Sequence, residues 1–273
     1  MTVTLCLRKE FRVPVNARCL SPDIFAGKSL SEIATLEIWE GNRKHSLSDF
    51  FELEGNCGST SGEVAIHLVG DLSKVHGIGA GMTGGEVKIQ GHVGMHLGEE
   101  MRNGTITVEG NAGSWLGSVM NDGTIEVKGN AGDYVGGIYR GSTKGMRGGT
   151  IIVYGNAGTE VGCYMRNGLI KIHGNVDQFV GIHMKHGTIV VHGRAKERAG
   201  AYMTGGKVVL CDYTPSVLPT FTIDSIKRKA KVDGEEIQGP FYLFIGDLTE
   251  HGEGKLYVSK NHNEHLSKYE QLL

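Results

Sequence analysis

Met101-Arg102-Asn103-Gly104-Thr105-Ile106-Thr107-Val108-Glu109-Gly110-Asn111-Ala112-Gly113-Ser114-Trp115-Leu116-Gly117 states a phrase that the chain also starts at Met82, Met120, Met146, Met165, Met184 and Met203. From Met82 to Met203 the successive starts differ by 19, 19, 26, 19, 19 and 19 residues. The one long interval, 26 against 19, is a seven-residue insertion around 137–143. A short fixed period of this kind is the signature of a solenoid of stacked, near-identical coils.

Each phrase carries the same physical pattern. The pair Ile106/Val108 recurs as Val87/Ile89, Ile125/Val127, Ile151/Val153, Ile170/Ile172, Ile189/Val191 and Val208/Leu210. Alternation at period two places each pair on one face of a strand, where successive coils stack them into an inner ladder. Leu97, Leu116, Val135, Val161, Val180 and Ala199 form a second apolar ladder, and the repeated Met a third. No helical stagger runs through the repeat. Gly91, Gly110, Gly129, Gly155, Gly174 and Gly193 follow the strand, most of them before Asn, and read as corners because Gly and Asn both tolerate positive φ. At about 3.3 Å per residue a coil has a perimeter of roughly 60 Å, enough for three short sides around a filled core.

These features predict an all-β chain: a single-stranded β-helix of about seven coils over 61–212. Residues 1–60 form a small α+β N-terminal cap, because an open β-coil presents unpaired backbone groups. Within it Val3, Leu5 and Leu7 alternate as an edge strand, Ser21 to Phe25 reads as a turn into a short helix, and Leu30 to Ile38 and Phe50 to Leu53 give further short elements. Residues 62–81 are a degenerate first turn in which Ile66, Leu68 and Gly70 copy Ile106, Val108 and Gly110. From Tyr213 the repeat stops. Residues 213–273 read as an irregular tail, a C-terminal cap or an arm, with Phe241 to Ile245 as a buried strand, Leu256 to Val258 as another and the run Lys227 to Lys231 as a solvated face.

Composition narrows the partners. A net charge of −2 leaves no basic footprint for nucleic acid. Gly is 43 of 273 residues against 5 Pro, about twice average Gly usage and placed at fixed repeat positions, so it is architectural. Cys6, Cys19, Cys57, Cys163 and Cys211 are scattered and odd in number, without a CxxC pair, which argues against a disulfide framework and against iron–sulfur or zinc ligation. No apolar run approaches membrane-spanning length and the N-terminus has no long apolar core, so a soluble, cytoplasmic protein is expected.

Candidate chemistry is sparse, with no catalytic, cofactor-binding or metal-ligating set. His173 and His192 share one repeat position and should stack, but Gln90, Glu109, Lys128 and Tyr154 occupy the same column, which reads as outward surface. His262 and His265 lack a third ligand. The glycine spacings do not sit in a strand-to-helix turn and so do not mark a dinucleotide site. One column departs from random surface. The residue after the repeated Met is Thr83, Arg102, Asn121, Arg147, Arg166, Lys185 and Thr204, with cations on three consecutive coils. Stacked like charges repel by a few tenths of a kcal/mol or more. Either these side chains splay at a solvent corner, or they face an anionic group or an acidic partner surface. The insertion adds Tyr139, Arg140 and Lys144, and insertions in solenoids often form binding loops, so contact with a partner chain is expected there.

The phrases Gly-Asn-Ala-Gly-Ser-Trp-Leu-Gly (110–117), Gly-Asn-Ala-Gly-Asp-Tyr-Val-Gly (129–136) and Tyr-Arg-Gly with Gly-Met-Arg-Gly-Gly-Thr (139–150) resemble the C subunit of formylmethanofuran dehydrogenase. So do two cap elements, Pro22 to Lys28 and Leu47 to Phe51, and the resemblance runs over roughly residues 10–212. The solenoid alone is also similar to the C-terminal domain of the glutamate synthase large subunit. The resemblance implies a right-handed β-helix. It implies a cytoplasmic archaeal complex that reduces CO2 at a molybdenum or tungsten pterin centre and condenses the formate with methanofuran, the first step of methanogenesis from CO2. Partner subunits would carry that pterin, iron–sulfur clusters and, in an amidohydrolase-like subunit, a dinuclear metal site. This chain would hold no cofactor and would scaffold the amidohydrolase-like and pterin subunits. Two alternatives follow from the same resemblance: the formyltransferase/hydrolase complex of methylotrophs, or a solenoid that itself binds the acidic tail of methanofuran along the Arg147/Arg166/Lys185 edge.

Overall fold

The structure is a computed structural model that describes residues 1–139 and 141–273. The repeated apolar pairs form seven parallel strands, β8 to β14: Glu86–Gln90, Thr105–Val108, Thr124–Val127, Thr150–Val153, Leu169–Ile172, Thr188–Val191 and Lys207–Leu210. Each strand pairs in register with the next, so Ile106 lies between Val87 and Ile125 and the ladder continues to Val208. The ladder residues and all seven repeated methionines are fully buried. Parallel pairing with an unvarying register is what a repeat of constant length enforces, since a one-residue slip would turn the ladder outward.

Strand occupies only one side of the coil. On the second side pairing shrinks to single bridges, Leu72 to Val93 to Ala112 to Ala131, and Val176 to Ala195. The third side is a run of turns. There Trp115, Gly117 and Val119 all have positive φ (60°, 60° and 55°), and the corresponding residues repeat this in other coils. Left-handed backbone at a non-glycine residue costs roughly 1–2 kcal/mol. It is offset by coil-to-coil hydrogen bonds, in which Trp115 N donates to Asp133 O at 2.8 Å and Gly117 N to Leu97 O at 2.8 Å.

The Gly-Asn pairs work differently from the turn chemistry expected of them. Of the strand-following glycines only Gly91 has positive φ. A Cβ on Gly110 would lie 2.5 Å from Gly91 O, and one on Gly129 2.6 Å from Gly110 O, so these glycines admit the backbone of the coil below. The asparagines are rungs. Asn130 N donates to Asn111 Oδ1 at 2.8 Å, Asn156 N to Asn130 Oδ1 at 2.8 Å, Asn175 N to Asn156 Oδ1 at 2.7 Å and Arg194 N to Asn175 Oδ1 at 2.8 Å.

At the N-terminal end β1 (Thr2–Leu7) is flanked on both sides. It runs parallel to β6 (Ala65–Val69) and antiparallel to β5 (Phe51–Gly55), so β5 and not β1 is the edge. Antiparallel β5 covers the β1 backbone that a bare coil would leave open. A second sheet joins β2 (Val15–Asn16), β3 (Glu37–Glu40), β4 (Arg43–Ser46) and β7 (Val75–His76). The expected helical turns are α1 (Pro22–Phe25) and α2 (Leu30–Ala34), the latter with a Ser29/Glu32 capping box. Cap and coils share one continuous core.

The tail is ordered β-structure rather than irregular. β17 (Gly254–Ser259) pairs parallel with β14, β16 (Glu235–Gly246) pairs with β17, and β15 (Thr222–Val232) pairs with β16. This extends the solenoid sheet to thirteen strands among the described residues. The β15–β16 hairpin also folds over the outer face of the last coils. Leu169, Val190 and Val209 point outward from β12, β13 and β14, and are buried against Ala230, Val232 and Phe241. Lys171 fastens the hairpin tip by a 2.6 Å ion pair with Glu235. The Lys227–Lys231 run lies on β15, with its cationic side chains exposed.

Candidate functional site

The interior is apolar, so chemistry has to be sought where outward-facing columns meet. Because Met165, Met184 and Met203 are buried, the residues on either side of each face away from the core. One column is then Tyr164, His183 and Tyr202, and the column beside it is Arg166, Lys185 and Thr204. The rings stack coil on coil, with centroids 4.4 Å apart for Tyr164–His183 and 5.0 Å for His183–Tyr202, at 20° and 14° between planes. The two columns line a groove of about 340 Å³, which Thr143 of the insertion and Glu250 also line. Arg147 sits one coil further back and is exposed.

A second constellation lies where the cap meets the first coils. Glu99, only 7 % exposed, pairs with Arg18 and lies 3.3 Å from His96 Nδ1. The His96 imidazole beside it, aided by Arg18 and opposed by burial, holds the Glu99 carboxyl below the usual carboxylate range. Burial, with His96 nearby, pushes His76 down. His96 begins a ring stack through Trp115 (5.2 Å, 3°) to Tyr134 (5.1 Å, 11°). One coil earlier the column position is Gly77, and the Arg18 stem fills that space, its Cγ 2.8 Å from where a Cβ would be. Arg18 thus substitutes for a missing ring and ion-pairs with a buried carboxylate, which locks the cap onto the solenoid. Asn16, Arg18, His76, His96, Glu99 and Tyr139 line a cavity of about 390 Å³ at this joint.

The residues singled out by sequence are therefore divided among different places. Arg147, Arg166 and Lys185 form one edge as expected. Arg102 is in the same column but is separated from them by Asn121. Tyr139 turns back edge-on to His96 at 5.2 Å and to Trp115 at 6.1 Å. Lys144 is exposed, and Arg140 lies outside the described residues. His173 and His192 stack at 4.9 Å below Tyr154, as their shared position required. Among the described residues no three His, Cys, Asp or Glu side chains are grouped to hold a metal ion. Burial pushes the Cys19 thiol up to about 12 and Cys211 up to about 11, and raises Cys163 as well. The ring column and the Glu99 joint were both missed in the sequence. The residue before each Met, read as a column, was the signal for the first. The second depends on a cap-to-coil contact 81 residues apart in the chain, which no repeat reveals.

No family model matches the chain. The C subunit of the molybdenum-containing formylmethanofuran dehydrogenase 1 of Methanosarcina barkeri is 40% identical over 95 residues, 35% of this chain and 32% of that protein. The C subunit of the tungsten-containing formylmethanofuran dehydrogenase 2 of Methanothermobacter thermautotrophicus is 41% identical over 96 residues, 35% of this chain and 36% of that protein. The matched part spans about a third of the length of these curated relatives. A chain from the X-ray structure of the formyltransferase/hydrolase complex of Methylorubrum extorquens, in complex with methylofuran, superimposes with a TM-score of 0.83. It is 30% identical, and the match covers 94% of this chain and 99% of that one. With so nearly complete an overlap the chain belongs to the same family as that chain of the formyltransferase/hydrolase complex, and the C subunits of formylmethanofuran dehydrogenase are its relatives over the matched third.

Proposed function

We propose that this chain is a non-catalytic scaffold subunit of formylmethanofuran dehydrogenase, the complex that reduces CO2 and couples it to methanofuran to give N-formylmethanofuran. The carrying observation is the division of labour within the fold. Every ladder that fills the coils is apolar, while the basic edge and the insertion lie on the outside and the buried Glu99 serves the joint with the cap. A rigid prism with closed ends and distinctive lateral edges suits the holding of other subunits in fixed relation. In this reading the amidohydrolase-like and pterin subunits pack against those edges, and the molybdenum or tungsten pterin, the iron–sulfur clusters and the dinuclear metal site belong to the partners. The five cysteines are scattered along the sequence without a CxxC pair, which supports placing iron–sulfur clusters elsewhere.

The near-complete overlap with the Methylorubrum extorquens chain favours a second reading, a formyltransferase/hydrolase complex without a redox centre. Purification of the tagged chain with its native partners, followed by elemental analysis and a formyl-transfer assay, separates the two. The dehydrogenase reading requires molybdenum or tungsten together with iron in the complex. The second requires formyl transfer in a complex lacking molybdenum and tungsten. Recovery of the chain alone from native extract sinks both.

A further inference from the structure

The edge that carries Arg147, Arg166 and Lys185 has properties that a solvent corner does not need. Among the described residues, none of these three cations has a carboxylate within ion-pair distance. Some cations elsewhere on the solenoid are paired, as in Lys88–Glu109, Lys128–Glu126 and Lys171–Glu235, while others such as Arg102 and Arg194 stand singly; what sets this edge apart is three cations stacked on consecutive coils. Their polar contacts within the chain are weak: Arg147 Nη1 reaches Asn121 Oδ1 at 3.4 Å, and Arg166 Nη2 reaches Thr143 O at 3.3 Å. Arg166 Nε is shut off from solvent without a hydrogen-bond partner. Three like charges stacked at strand spacing repel one another, and an anion lying across them removes that repulsion and supplies charge-assisted hydrogen bonds.

The stacked rings say more about the ligand. Tyr164, His183 and Tyr202 form a continuous apolar wall beside the cations, and Tyr202 is 47% exposed. Two coil-to-coil steps make this wall about 10 Å long, the span of three to four residues of extended peptide. An inorganic anion would use the charges and leave the wall bare. Glu250 lines the far end of the groove, and its carboxylate disfavours negative charge there.

We propose that this groove docks an extended acidic segment of a partner subunit, with its carboxylates on Arg147, Arg166 and Lys185 and its backbone along the ring wall. The inference rests on the reading of this chain as one member of a multi-subunit complex. The insertion and the C-terminal sheet then acquire a common purpose, since Thr143 from one and Glu250 from the other bound the same groove.

The test is fluorescence anisotropy with the full chain and a fluorescein-labelled peptide, Glu-Ala-Glu-Ala-Glu, in buffer of about 50 mM salt, where surface charges are weakly screened. The expected result is saturable binding that weakens with salt. Arg166→Gln with Lys185→Gln should weaken it by about fivefold to tenfold, from the loss of two partly exposed pairs. Tyr202→Ala should weaken it without any change of charge. Lys227→Gln with Arg228→Gln removes the same charge from exposed β15 and should leave it unaltered. Circular dichroism melts establish that each variant is folded. Absence of wild-type binding, equal weakening in the β15 control, or competition by citrate at the peptide's own molar concentration would overturn the proposal, the last by showing a small-polyanion site. Copurification with partner subunits is a separate readout, so failure of the groove and failure of the scaffold reading are distinguishable.

Discussion

Glycine serves two separate needs within one coil. At Gly104 (φ +97°) and Gly117 (φ +60°) the backbone is left-handed, whereas at Gly110 and Gly129 it is the neighbouring coil's carbonyl that leaves no room for a Cβ. Gly129→Ala should therefore destabilise by about 1–3 kcal/mol through overpacking against backbone that cannot move aside. Gly62→Ala has nothing within 4 Å of the new Cβ, and should be neutral or stabilising by up to about 1 kcal/mol. Urea unfolding midpoints compare the two directly. Glu99 offers a second residue-scale check. Its folded carboxyl titrates below the unfolded value of about 4.3, so its stabilising contribution is present above that pH and is lost as pH falls through the lower folded value. Glu99→Gln should cost about 1–2 kcal/mol at neutral pH, and the melting temperatures of variant and wild type should converge in acid. His76 is depressed in the fold, so the unfolded chain takes up a proton first and stability also declines as pH falls below about 6.5. His76→Gln should flatten that earlier decline.

At the scale of elements, the C-terminal hairpin explains a change that the repeat itself carries. The outward middle position runs Lys88, Thr107, Glu126, Ile152 and Lys171 through β8 to β12, and becomes Val190 and Val209 in β13 and β14. The late pair is apolar because β15 and β16 cover it. Phe241→Ala should cost about 3–5 kcal/mol if the hairpin packs as a core element, and hydrogen exchange should then quicken in β15 and β16 before it does in β8 to β11. The charged residues on β15 have a related purpose. β15 ends the thirteen-stranded sheet, and Lys227, Lys229 and Lys231 lie on that edge, where charge discourages pairing with a second chain. Replacing these three lysines with Thr should leave the fold intact and raise light scattering on concentration. The coils were legible in sequence because their period, ladders and insertion are local and repeated. The tail was not. Its strands pair with the last coil and with each other across long separations, and a run such as Lys227 to Lys231 looks the same on a loop as on an edge strand.

At the scale of the whole molecule, the chain is a prism whose core is structural and whose individuality lies on its lateral edges and at its ends. Both the basic column and the insertion were visible as departures from the repeat. Their meaning depended on side chains that only folding brings together: Tyr139 with His96 and Trp115, and Tyr164, His183 and Tyr202 beside the cations. The relatives that the chain resembles are subunits of formylmethanofuran dehydrogenases and a chain of a formyltransferase/hydrolase complex, and the apolar interior together with the shaped outer edges supports the proposal that this chain organises others. The most direct measurement is an omission experiment, in which the partner subunits are co-expressed with and without this chain and analysed by native mass spectrometry alongside formyl-transfer turnover. The expected result is one assembly containing this chain when it is present, and separated partner subunits with reduced coupled turnover when it is absent. Assembly and turnover that are unchanged without the chain would contradict the scaffold role.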